Sequence, residues 1–121
     1  MDSISMAVKK ESVESFRSTI SKLEKALAQM TEKGVNTTLL QKRLQAHYVG
    51  LAVLENVWQQ KPQPYSDGEL AEACIVLAGL FPSLENAYHK SKAGSPQRTL
   101  LARRIRALEL AVFLMEKSSA E

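Results

Sequence analysis

The feature that most constrains this chain is a hydrophobic rhythm that recurs in four stretches. From Val13 the residues Phe16, Ile20, Leu23, Leu27 and Met30 follow at steps of 3, 4, 3, 4 and 3. Leu40, Leu44, His47, Leu51, Leu54 and Trp58 repeat the pattern, as do Leu70, Cys74, Leu77, Phe81, Leu84 and Tyr88, and finally Leu101, Ile105, Leu108, Val112 and Met115. Steps averaging 3.5 residues align side chains along one side of a helix, whereas a half-buried strand alternates with period 2. No stretch reads as a strand.

Punctuation between the stretches sets their limits. The first helix is expected over residues 5–33, with Met6 extending its seam and Gly34 free to take the left-handed conformation that ends a helix. Asn36 or Thr37 then caps a second helix running to about Lys61, where Pro62 and Pro64 disfavour helical backbone before them. A stripe of Ala46, Val49, Val53 and Val57 widens the face of this helix. Gly50 lowers its intrinsic stability and marks a place where another helix comes close.

Ser66 and Glu69 stand at capping-box spacing and open the third helix. Pro82 falls inside its pattern. It lacks a backbone donor and clashes with the carbonyl of Ala78, so a kink is expected near residues 79–81. The middle of this helix is apolar nearly all round and is expected to be covered on both faces. Gly94 closes it. Ser95 and Pro96 are the N-cap and first residue of the fourth helix, which runs to about Ser118.

Helices of this length joined by connections of roughly three to five residues fold back on their neighbours. The predicted architecture is all-α, an up-down-up-down antiparallel four-helix bundle forming one domain over residues 1–121. A three-helix core with a loosely attached first helix is the alternative, because the first seam is the narrowest. A chain of 121 residues can bury about two-thirds of its unfolded surface, enough for a core without covalent staples.

The single cysteine, Cys74, leaves no disulfide possible within the chain, which suits a reducing cytosol. The N-terminal residues contain no apolar core of signal-peptide length. The charge-free apolar run over residues 73–81 is about half a membrane span. A cytoplasmic protein that does not enter membranes is therefore expected. The net charge of +3 does not by itself argue for nucleic acid.

Two surfaces stand out as candidate sites. The alternating topology would gather Lys33, Lys42, Arg43, Lys90, Lys92, Arg98, Arg103 and Arg104 at one end of the bundle. Lysines near helix C-termini suit the dipole, but Arg98 lies in a first turn, where a cation is disfavoured. A bound anion held by Lys90, Lys92, Ser95 and Arg98 would account for it; a solvated charged end is the simpler account. The second surface is apolar. Leu100, Leu110, Phe113 and Leu114 add a second stripe to the last helix, and Ile75, Val76 and Leu80 add a surplus to the third. This is either a broad core face or a contact for a partner or a second copy.

Catalytic chemistry finds no support. His47 sits on a seam without a visible acid or cavity and reads as a core-edge histidine. Glu85 and His89 are one turn apart, but no Glu-x-x-His pair of the kind used in di-iron bundles is present, so no metal or other cofactor is expected. Cys74, in apolar company, reads as an inert thiol. The sequence thus points to a non-enzymatic protein-binding module, a homodimer through its third and fourth helices. Anion or nucleic-acid binding at the basic end is the alternative. Scarce aromatics weigh against single-strand binding.

Overall fold

The computed structural model describes residues 4–119. It is all-helical, with 82% helix and no strand among the described residues. Five helical segments follow one another: α1 Met6–Glu32, α2 Thr38–Gln59, α3 Asp67–Ala78, α4 Phe81–Lys90 and α5 Pro96–Ser119. The start of α1 is capped by Ser5, whose Oγ accepts from Val8 N–H at 3.1 Å. Its end passes through Gly34 at φ +73°. At the second start the capping oxygen belongs to Asn36, which accepts from Thr38 N–H at 2.8 Å, while Thr37 makes no such bond. This helix stops in a left-handed residue, Gln60 at φ +56°, ahead of the prolines.

Ser66 and Glu69 form the expected reciprocal capping box, at 3.2 and 3.0 Å. The expected single kinked helix is resolved as α3 and α4, with a 29° bend at residues 79–80. The ladder tightens there. Gly79 N–H still donates four residues back to Ile75, but Leu80 N–H donates three back to Leu77. Pro82, which lacks a donor, begins the next segment at its second residue.

One buried cluster draws on every segment: Val13 and Phe16, then Val49, Val53 and Leu54, then Leu70 and Leu77, then Leu84, and Leu108, Ala111 and Met115. The first helix contributes Phe16 at 2% exposure, so it is an integral part of the core. It packs on α2 and α5; α3 packs on the same two helices, and α4 packs on α5. The last helix therefore touches all the others. Gly50 is the close contact its residue type implied: a Cβ there would stand 2.7 Å from Phe16 Cε2 and 3.1 Å from Leu77 Cδ1.

Several seam assignments are corrected. Met6 is 80% exposed on the first turn of α1. Val57, at 42%, faces solvent on the last turn of α2. The middle of the third helix is not covered all round: Ile75 is 74% exposed. The stretch Asp67–Lys90 has a mean hydropathy of 1.3 over its most apolar 18 residues, with 22% of that window buried. By length and composition it could cross a membrane, a reach that the charge-free run alone understates.

Candidate functional site

The apolar stripe divides once its residues are placed. Leu110 and Leu114 are 6% and 8% exposed and belong to the core. Of the two expectations for the stripe, a broad core face or a contact for a partner, these two residues take the first. A helix packed against α1, α2, α3 and α4 buries more than one side. Val76 and Leu80 are half-buried against the core, and Val76 also lines a hollow between α2 and α3. Ile75, Leu100 and Phe113 remain exposed. Leu100 looks into a different groove, between α5 and α1, so the residues do not share one face.

At the basic end, Arg98 has partners within the chain. Its guanidinium lies 4.2 Å from the centroid of the Tyr88 ring, and Nη1 donates to the Ser91 carbonyl at 2.9 Å. Ser91 is the C-cap of α4. A cation in the first turn of one helix thus serves the negative end of the helix before it. Ser95 Oγ accepts from Arg98 N–H at 3.2 Å as the cap of α5. Of the four residues expected to hold an anion, Lys90 and Lys92 are exposed and have no ion-pair partner among the described residues.

The structure brings together a group that sequence reasoning did not assemble. His47 is 2% exposed and lies tilted at 55° to Phe16, with ring centroids 5.6 Å apart. Its Nδ1 is 2.7 Å from the Arg43 carbonyl. A carbonyl only accepts, so Nδ1 carries the proton and Nε2 presents a lone pair. That Nε2 is buried without a partner, and so is Nε of Arg104. Burial holds the His47 pKa below its ordinary value of 6.5 against the raising effect of the carbonyl bond, and the charges of Arg104 and Arg43 depress it further. Burial likewise lowers the Arg104 pKa, with the Arg43 charge adding to the effect. Arg43 and Arg104 are thus like charges near one another, and neither forms an ion pair among the described residues.

Arg104 carried a legible signal. Leu101, Arg104, Leu108, Ala111 and Met115 follow at steps of 3, 4, 3 and 4, a seam as regular as the one drawn through Ile105. An arginine in phase with a buried stripe is a polar group directed at the interior.

Arg104 also lines a groove of about 490 Å³ between α1 and α5. One wall presents the hydroxyls of Ser15, Ser18 and Thr19, and the other Leu100 and Leu101. Lys22 and Arg103 add positive charge, and Glu11 and Glu14 negative. Arg103 is matched to Glu11 at 3.5 Å. Arg104 forms no ion pair among the described residues.

Elsewhere the chemistry is sparse. No cluster of three metal-ligating side chains occurs among the described residues. Glu85 and His89 face a shallow hollow with Tyr88, Ala102 and Ile105. Burial, and secondarily Glu116, pushes the Cys74 thiol pKa above its usual value. Comparison with protein-family models, curated proteins and solved structures finds no match.

Proposed function

We propose that this chain is a non-enzymatic, cytoplasmic helical bundle that acts by binding another protein, a second copy of itself in the first instance, through the outer face of α3. The bundle reading takes the helices as antiparallel neighbours, with α3 and α4 forming one bent arm. Two contacts support that direction: Arg17 pairs with Glu55 at 2.8 Å, and Glu24 accepts from the Tyr48 hydroxyl. As the number rises along α1 it falls along α2.

The observation that carries the binding proposal is the mismatch between composition and burial in Asp67–Lys90. The segment is apolar enough for a membrane interior, yet only 22% of its most apolar window is buried. Ile75, 74% exposed, lies within that segment. Exposed apolar surface is characteristic of contact sites, and Ile75 is the large apolar residue that α3 exposes. Val76 and Leu80 follow it as half-buried residues, and Phe113 and Leu100 are the exposed α5 residues of the expected stripe, Leu100 on a different groove. Leu110 and Leu114 have no part in the exposed surface.

Two observations weigh against the other readings. His47 is sealed from solvent and no acid orients it, so it lacks the access a general base needs. Arg98 and Ser95 already have partners in the chain, which weakens an anion site at the basic end.

The test is solution molar mass by light scattering, across concentration and at low and high salt. The expected result is a dimer that survives high salt and reverts to a folded monomer in Ile75→Asp. A wild-type monomer throughout rejects self-association, and a dimer that dissolves with salt transfers the contact to charged groups.

A further inference from the structure

The groove between α1 and α5 is independent of the α3 face, and its electrostatics are unbalanced in a specific way. Arg104 is half-buried at its wall, and its Nε–H lacks a protein acceptor. A guanidinium removed from water without a counter-charge is unfavourable, and buried donors in folded proteins are nearly always paired. Arg43 is a cation, and His47, whose Nε2 lone pair could accept, makes no hydrogen bond with it. The one carboxylate held by a neighbour, Glu11, is matched to Arg103. Glu14 is open to solvent.

The rest of the wall describes the remainder of a ligand. Leu100, 61% exposed, stands with Leu101 and Leu23 along the same groove. Ser15, Ser18 and Thr19 offer hydroxyls that can donate to an oxyanion. The volume of about 490 Å³ lies within the range of small-molecule sites. A planar fork beside an apolar wall matches a singly charged planar head on an apolar body.

We propose that the α1–α5 groove binds a small organic carboxylate with an apolar body, its carboxylate on Arg104 and its body against Leu23, Leu100 and Leu101. Arg104 is the specificity-determining residue of this site, and Lys22 at the rim assists by its charge.

The probe is decanoate, kept below its aggregation threshold and titrated into isotopically labelled protein while amide shifts are followed. Decanol, decyltrimethylammonium and acetate serve as controls. Saturable shifts are expected at residues 15, 18, 19, 100, 101 and 104 with decanoate. Each control should bind at least tenfold more weakly, because it lacks the charge, carries the opposite charge or lacks the body. Arg104→Gln removes the charge while keeping a shorter polar side chain, and should weaken decanoate at least tenfold. Leu100→Glu changes an exposed position, leaves the fold intact and should weaken it similarly. Decanoate affinity equal to that of decanol, or unchanged in both variants, overturns the proposal. Shifts confined to the α3 face would assign the ligand to that surface and overturn it equally.

Discussion

Phe16 and Gly50 hold α1 and α2 at a separation that admits no side chain between them. A Cβ on residue 50 would lie 2.7 Å from Phe16 Cε2, and the ring is 2% exposed. Glycine at the centre of a long helix is unfavourable by about 1 kcal/mol relative to alanine, and here it permits the ring to pack on the backbone. Gly50→Ala should nonetheless destabilise the protein by about 1–2 kcal/mol net, because overpacking outweighs the propensity gain. Thermal unfolding would show a lowered Tm, partly restored by adding Phe16→Leu. An unchanged or raised Tm in Gly50→Ala would mean that the ring yields.

Arg98 is expected to act as a capping residue for α4. Arg98→Ala removes the bond to the Ser91 carbonyl and the stack on Tyr88, and should lower stability by about 1–2 kcal/mol in denaturant titrations. Arg98→Lys should recover only part of the loss, since a lysine keeps the charge but not the planar stack. Equal midpoints for wild type and Arg98→Ala would show that these contacts contribute nothing.

His47 should impose a pH dependence on folding. Its folded-state pKa lies below the ordinary 6.5, so the unfolded chain binds the proton more readily. Stability contributed by the neutral ring is fully present above about 6.5 and is lost as pH falls through that value toward the depressed folded pKa. Urea midpoints at pH 7.5, 6.5 and 5.5 should decline in that order. His47→Leu should flatten the decline, and a profile equally steep in that variant would place its cause elsewhere.

Cys74 should be a slow thiol. Burial raises its pKa, and the Glu116 charge raises it further. At pH 8 its reaction with a disulfide reagent is expected to be slower than that of an unstructured cysteine, and to accelerate on unfolding. A rate at or above the free-thiol rate in the folded protein would contradict this assignment.

Much of the local structure was legible because it depends on residues close in sequence. Ser66 and Ser95 are caps in both sequence and structure, and of the two residues expected to cap the second helix Asn36 supplies the oxygen. The break at residues 79–80 follows from Pro82 acting on the turn before it. The candidate sites were less legible, and the reason differs for each. Leu110 and Leu114 looked surplus because the width of a buried face depends on how many helices surround it. Arg98 looked like an anion ligand because its partners, Tyr88 and Ser91, belong to the preceding helix and come within reach only after the chain turns back. Arg104 was counted among the charges of an end because charge and seam were read separately.

The sequence by itself determined that the chain is helical, where most helices begin and end, and which residues could be buried. These are consequences of period, capping and backbone chemistry, which act over a few residues. Only the tertiary structure decided which of the eligible residues are buried, why Gly50 is glycine, and that Arg104 lines a groove near His47 and Arg43 without an ion pair among the described residues. Burial and electrostatic balance are set by neighbours far apart in the chain, and one helix viewed alone contains no record of what packs against it.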